Sequence, residues 1–147
     1  MLVVDTSVAV KWVISEASTT REAGTEQALA LLAHGLMAPD LLAIEFANVL
    51  WKRQLRRDIG ADQAEQALAI LPETVLLQPS QPYLQTALSL AVALEHPVYD
   101  CLFLACAAAH DAELVTADER LATLVQHRNT GIRVTNLADW IDPTPAR

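Results

Sequence analysis

Five short apolar runs alternate with longer segments of helical character, and this alternation constrains the fold more than any other feature of the sequence. The runs are residues 2–4, 36–39, 74–77, 113–116 and 132–135. Their length and apolar composition are typical of short buried strands. Strands that alternate with helices form a parallel sheet covered on both faces. We therefore predict an α/β three-layer sandwich with a short central parallel sheet flanked by helices.

The segments between these runs carry the helical patterns. The predicted helices are 6–14, a helix around 28–32 that ends near Gly35, 41–57 with Asp40 as its cap, 61–71 with Pro72 beyond it, 81–94, 98–109, 119–126 and 137–141. The polar stretch 15–24 is predicted to be a loop. A chain of this length fits one domain, so we expect a single domain over residues 1–141 and a frayed tail over 142–147.

The charge of the chain restricts how it binds nucleic acid. With 18 acidic and 10 basic residues, the net charge is -8, which argues against indiscriminate binding to polyanions. Nucleic acid would require a local basic cluster or bound cations. The densest basic cluster is Lys52, Arg53, Arg56 and Arg57. It is a candidate for phosphate contact, or else a solvated helix end favoured by the helix dipole.

The cysteines and the apolar segments indicate a cellular compartment. Cys101 and Cys106 lie five residues apart in one predicted helix and diverge by about 140°, so they cannot readily pair. Two unpaired thiols suit a reducing cytosol. Asp5 interrupts the opening apolar run, and charged residues interrupt 84–109. We therefore expect neither a signal peptide nor a membrane span, and a cytoplasmic location.

Two acidic residues follow predicted strands. Asp5 comes directly after the first strand, and Asp118 follows the strand 113–116. Ligands of parallel α/β sheets bind at the carboxyl ends of the strands, although Asp5 is equally suited to capping the next helix. Thr116 and Glu119 have the spacing of a capping box. That box would leave Asp118 free.

Two further acids lie in apolar helices. Asp100 is the only charge in the helix 98–109, where a lone carboxylate is costly unless it is paired, coordinated or protonated; the alternative is that it complements the helix dipole. Glu45, Asn48 and Lys52 form a narrow polar stripe on the long helix. The stripe is either a solvated edge or the wall of a polar pocket.

If the four acids converge, their mutual repulsion favours shared protons or a bound cation. Oxygen ligands select Mg²⁺ or Mn²⁺ over zinc. The four histidines, His34, His96, His110 and His127, lack metal-ligand spacing and are predicted to be structural or solvated. An acidic cage that holds Mg²⁺ serves phosphoryl transfer.

These motifs resemble the PIN-domain family of metal-dependent ribonucleases, and in particular the small VapC-type toxins of bacterial toxin-antitoxin pairs. The resemblance rests on four segments in order. They are VVDTSV with Asp5, AIEFANVL with Glu45 and Asn48, PVYDCLFLACA with Asp100, and LVTADERL with Thr116 and Asp118.

The resemblance implies an RNA-hydrolysing enzyme that uses a metal-activated water. It implies that the catalytic and metal-binding quartet is Asp5, Glu45, Asp100 and Asp118, with one or two Mg²⁺ or Mn²⁺ ions. It implies that the residues that order these carboxylates are Thr6 or Ser7, Asn48 and Thr116. It further implies a homodimer and a cognate antitoxin that covers the acidic pocket.

Two other functions compete with this interpretation. One is a module on the same scaffold that binds RNA or protein without cutting. The other is a phosphatase with Asp5 as nucleophile, although such an enzyme of the haloacid-dehalogenase type would carry a second Asp where this chain has Ser7.

Overall fold

A single parallel sheet forms the centre of the molecule. The computed structural model describes residues 1–14 and 23–144. Within these ranges the strands are β1 (Leu2–Val4), β2 (Leu36–Pro39), β3 (Leu76–Gln78), β4 (Glu113–Thr116) and β5 (Val134–Asn136). They lie side by side in the order β3-β2-β1-β4-β5, and every neighbouring pair is parallel. The predicted parallel α/β sheet is confirmed.

Helices connect the strands. They are α1 (Thr6–Ala9), α2 (Thr25–Leu31), α3 (Leu41–Leu55), α4 (Ala61–Thr74), α5 (Leu84–Leu94), α6 (Val98–Ala109) and α7 (Glu119–His127). Short 3₁₀ turns cover Val10–Trp12, Gln81–Tyr83 and Leu137–Asp139. Helix α6 packs against β1, β2 and β4, and α5 packs against α6.

The core extends from the sheet to α6 and to the buried residues of the other helices. Val3 and Val4 of the central strand are fully buried, as expected for a parallel strand covered on both faces. All residues of α6 from Cys101 to Ala107 are buried as well, which explains why that helix is apolar around its circumference. Both cysteines in this stretch are buried and unpaired.

Several predicted boundaries are wrong by two or three residues. Helix α4 continues through Pro72 to Thr74, because the carbonyl that the proline leaves without a partner belongs to Leu68, an exposed residue that water can reach. Strands β3 and β5 begin two residues later than predicted. Their bounds follow from pairing with the neighbouring strands, as in the register of Met37 with Leu76.

The predicted cap of α3 is also wrong. The Asp40 side chain makes no cap hydrogen bond and instead accepts from Ser80 N at 3.1 Å and Ser80 Oγ at 2.6 Å. The Ser80 hydroxyl in turn accepts from the first-turn amide of Leu41 at 3.2 Å. A residue from the distant β3–α5 connection therefore satisfies the start of this helix.

Two predicted segments lie partly or wholly outside the described residues. Of the predicted loop 15–24, residues 15–22 are outside, and so are residues 145–147 of the predicted tail. The beginning of the tail contacts the body of the domain, because Asp142 Oδ1 lies 3.0 Å from His34 Nε2.

In the part of the chain that the structure describes, no single helix combines the length and hydropathy of a membrane span. The pair Gln81–Leu94 and Val98–Ala109, bent by 117°, meets those criteria jointly on length and composition alone.

Candidate active site

Asp5 lies at the carboxyl end of the central strand and is only 5% exposed. Its Oδ1 accepts a hydrogen bond from Ser7 Oγ at 2.5 Å, and its Oδ2 accepts one from Thr116 Oγ1 at 2.5 Å. Burial raises the pKa of Asp5 to about 6, against the lowering effect of the two hydroxyls, and the negative charge of Asp100 adds to the rise. Asp5 is thus a carboxylate whose charge is costly in the folded protein.

The parallel pairing of β1 with β4 brings the two strand ends together. Val4 is in register with Val115, so Asp5 and Thr116 follow at the same edge of the sheet. Ser7 Oγ accepts from Ala117 N at 2.9 Å, and Thr116 Oγ1 accepts from Asp118 N at 3.0 Å. Two hydroxyl groups therefore connect Asp5 to the turn that carries Asp118.

Asp118 itself caps helix α7. Its Oδ1 accepts from Leu121 N at 3.1 Å. The expectation that Thr116 forms the capping box and leaves Asp118 free is wrong, because Thr116 is the last residue of β4 and its hydroxyl donates to Asp5. The Oδ2 atom of Asp118 accepts no hydrogen bond from the residues that the structure describes.

Glu45 lies within helix α3 and not at the end of a strand. Thr6 Oγ1 donates to Glu45 Oε1 at 2.8 Å. Partial burial raises the pKa of Glu45, the Thr6 hydroxyl opposes the rise, and the charge of Asp100 adds to it. Asn48, one turn further along α3, is exposed, and its side chain makes no hydrogen bond within the described ranges.

Asp100 lies in the first turn of α6 and is bonded to a residue that sequence reasoning missed. His96 Nε2 lies 2.6 Å from Asp100 Oδ2, a contact that the histidine spacing alone does not predict. His96 and Asp100 are four residues apart, which is the spacing of side chains that contact each other along a helix. Pro97 lies between them, so the sequence does not indicate a continuous helix there. The charge of Asp100 raises the pKa of both Asp5 and Glu45, so these three carboxylates share one region.

No Lys or Arg among the described residues forms an ion pair with any of the four acids. The donors are carboxylate oxygens, the type that Mg²⁺ and Mn²⁺ prefer, and the set fits a divalent ion in chemistry and in charge. In their present orientations, no three His, Cys, Asp or Glu side chains of the described ranges are grouped closely enough to hold an ion. Closing the cluster on a cation requires at least one carboxylate to move, and Glu45 and Asp118 are partly exposed.

The predicted basic cluster divides into two parts. Lys52, Arg56 and Arg57 are exposed, and Arg56 Nε lies 3.4 Å from Asp58 Oδ2. Arg53 is buried and donates from Nη1 to the carbonyl oxygen of Val13 at 2.5 Å. The prediction that Arg53 contacts phosphate is therefore wrong, because this position lies on the core-facing side of α3.

The fold and the site define a class of protein: a parallel α/β domain with acidic side chains at and beside the carboxyl ends of adjacent central strands, none of them paired with a Lys or Arg of the described residues. The PIN domain family model matches residues 2–125. The chain belongs to the PIN domain family, as its motifs predict.

Individual relatives agree with this assignment. The chain is 32% identical over 118 residues to Ribonuclease VapC1 of Mycobacterium tuberculosis, in both strain CDC 1551 / Oshkosh and strain H37Rv. The match covers 75% of this chain and 87% of the relative. The fold is similar to the crystal structure of PAE2754 from Pyrobaculum aerophilum, with a TM-score of 0.63 and 18% identity over 90% of this chain and 89% of that one.

Proposed function

We propose that the protein is a metal-dependent endoribonuclease that hydrolyses RNA phosphodiester bonds and acts as the toxin of a toxin-antitoxin pair. The observation that carries the proposal is Asp5, which lies buried at the carboxyl end of β1 and whose pKa is raised by burial and by the charge of Asp100. A bound cation offsets the repulsion between these two carboxylates. A relative at 32% identity is named a ribonuclease.

The residues that would hold the ion are Asp5, Glu45, Asp100 and Asp118. When bound, a Mg²⁺ or Mn²⁺ ion neutralises charge on the phosphate and activates the attacking water. The chain supplies the orientation. Ser7 and Thr116 hold the two oxygens of Asp5, and Thr6 holds one oxygen of Glu45.

The geometry argues against a phosphatase with Asp5 as nucleophile. Asp5 is 5% exposed, and each of its oxygens already accepts a hydrogen bond from a hydroxyl group. A nucleophile needs access to the phosphorus atom, and this carboxylate is enclosed. An enclosed carboxylate of this kind is better placed to bind a small cation than to attack a phosphate group.

Cleavage of a long RNA transcript tests the proposal. We expect the purified protein to cut with added Mg²⁺ or Mn²⁺ and to stop cutting in excess chelator. Asp100→Asn should abolish cleavage, because it removes the charge that the cluster shares, while circular dichroism stays native. His127→Asn is the matched control, since His127 is exposed and contacts only a carbonyl of its own helix. Full activity in chelator contradicts the metal requirement, and full activity of Asp100→Asn contradicts the site.

RNA contact is proposed for the exposed part of the basic cluster. Lys52 lies in the last turn of the helix that carries Glu45, and Arg56 and Arg57 directly follow the end of that helix at Leu55, so the three basic residues are grouped at one end of α3. Phosphate contacts of this kind make affinity fall with salt. Replacing Lys52 and Arg56 with Gln should weaken RNA binding and reduce its salt dependence, and an unchanged salt dependence would contradict the assignment.

A homodimer and an antitoxin partner complete the proposal. Ile44, Trp51 and Leu55 are exposed apolar residues of α3 and lie on one face of it by their spacing, which supports a self-association surface. Light scattering of the purified protein should give a dimer mass that falls to monomer in Trp51→Glu. The buried free thiols Cys101 and Cys106 support a reducing cytoplasmic setting. A short open reading frame directly upstream that suppresses toxicity on co-expression would support the antitoxin.

A further inference from the structure

The turn between α5 and α6 places an imidazole against one of the four acids. His96 Nε2 and Asp100 Oδ2 are 2.6 Å apart. An ionised carboxylate only accepts hydrogen bonds, so Nε2 carries the hydrogen. The exposed fractions of the two side chains are 22% and 36%, so the contact is partly shielded from competing water.

The backbone of His96 is held on both sides. Helix α5 ends at Leu94, Glu95 adopts a left-handed φ of 53°, and His96 N donates to Ala91 O at 3.1 Å. The bond from His96 N to Ala91 O is the six-to-one bond that also occurs in Schellman turns. The carbonyl of His96 accepts from Cys101 Sγ at 3.9 Å. The imidazole therefore extends from an ordered turn, which reduces the entropy lost when it binds Asp100.

The environment of Asp100 differs from that of an ordinary acid in a first helical turn. Such an acid is normally stabilised by the amides of its own helix. Helix α6 starts after Pro97, and no side chain caps it. Asp100 bonds to His96 through Oδ2 instead, and Oδ1 accepts no hydrogen bond from any described residue. His96 thus holds one oxygen and leaves the other free for a ligand.

We propose that His96 is a positioning residue for Asp100: its hydrogen bond holds Oδ2 and presents Oδ1 to the divalent ion. The inference rests on the proposed function, since it takes ion binding as given. Hydrogen-bond partners of ligating side chains typically contribute about 10- to 100-fold in metal affinity. Loss of the imidazole donor should weaken ion binding by a factor in this range.

Direct Mn²⁺ binding to the full chain, measured by calorimetry in the absence of RNA, tests the proposal. His96→Leu removes the donor at similar volume, and we expect its Kd for Mn²⁺ to rise about 10- to 100-fold. His96→Gln keeps an amide donor near the position of Nε2 and should bind close to the wild type. His127→Leu is the control for loss of a histidine outside the site and should not change the Kd.

Every other outcome contradicts the proposal, and the outcomes can be told apart. Equal Mn²⁺ affinity in His96→Leu, with or without a lower melting temperature, assigns His96 a purely structural role. Tighter binding shows that the imidazole competes with the ion for Asp100. A wild type that binds no Mn²⁺ contradicts the proposed function as well. If His96→Leu does not fold, His96→Asn, whose amide is too short to reach Oδ2, takes its place with the same expected loss.

Discussion

Thr116 Oγ1 donates a 2.5 Å hydrogen bond to Asp5 Oδ2 across two adjacent strands, from a residue 111 positions away in the chain. Thr116 is fully buried, and the same oxygen accepts from Asp118 N. One hydroxyl therefore stabilises the charged form of Asp5 and fixes the turn that carries Asp118.

Replacing this hydroxyl with a methyl group should destabilise the domain. Thr116→Val keeps the shape but removes the donor to a buried carboxylate, and we expect the free energy of unfolding to fall by about 2 kcal/mol at pH 7. Urea denaturation measures the loss. Thr116→Ser retains the hydroxyl and should lose much less. Equal stability of the Val variant and the wild type would show that the bond contributes nothing net.

The raised pKa of Asp5 predicts a specific pH dependence in metal-free buffer. The pKa is about 6 in the folded protein against an ordinary 3.8, so stability from this group is fully present below pH 3.8 and is lost as the pH rises through about 6. The loss is on the order of 3 kcal/mol, since one pKa unit corresponds to about 1.4 kcal/mol. Asp5→Asn should therefore be more stable than the wild type at pH 7, and the gain should shrink toward pH 4.

The measurement is the difference in free energy of unfolding between Asp5→Asn and the wild type from pH 4 to pH 7.5 with chelator present. Taking the difference cancels the titrating groups that do not interact with Asp5, since both proteins share them. A wild type that is the more stable protein at pH 7 would reverse the sign and contradict the burial cost. Added Mn²⁺ should stabilise the wild type more than the variant.

Two substitutions of Asp118 separate its structural role as a helix cap from its proposed role in the active site. Asp118→Ala removes the hydrogen bond to Leu121 N and should lower the free energy of unfolding by about 1 kcal/mol. Asp118→Asn keeps an oxygen acceptor and should remain near wild-type stability. Both remove the carboxylate, so under the proposed function both should lose RNA cleavage. An Asn variant that cuts RNA normally would exclude Asp118 from the site and leave it as a cap only.

Arg53 and Arg56 are three residues apart, but the same substitution should destabilise the protein only at Arg53. Arg53→Met removes the buried hydrogen bond to the Val13 carbonyl, and we expect a loss of about 2 kcal/mol in the free energy of unfolding. Arg56→Met removes an exposed guanidinium paired with Asp58 and should stay within about 0.5 kcal/mol of the wild type. Comparable losses in the two thermal or urea melts would contradict the structural assignment of Arg53.

Periodicity predicted the helix Val98–Ala109 and the strands Leu36–Pro39 and Glu113–Thr116 with their observed bounds. It failed where partners distant in sequence decide the structure. The cap of α3 depends on Ser80, and the hydroxyl of Thr116 donates to Asp5 instead of to the start of α7. The sequence also did not indicate that Arg53 faces the core. Arginine is rarely buried, and no local feature of the sequence identifies the Val13 carbonyl as its partner.

The amino-acid order alone determined the α/β class, the parallel sheet and the strand ends at which Asp5 and Asp118 lie, because strand and helix periods are local properties that end at identifiable residues. The tertiary structure decided which groups meet. Strand register places Thr116 beside Asp5, and the left-handed turn at Glu95 places His96 beside Asp100. These contacts depend on the relative placement of separate elements, which only the packed chain establishes.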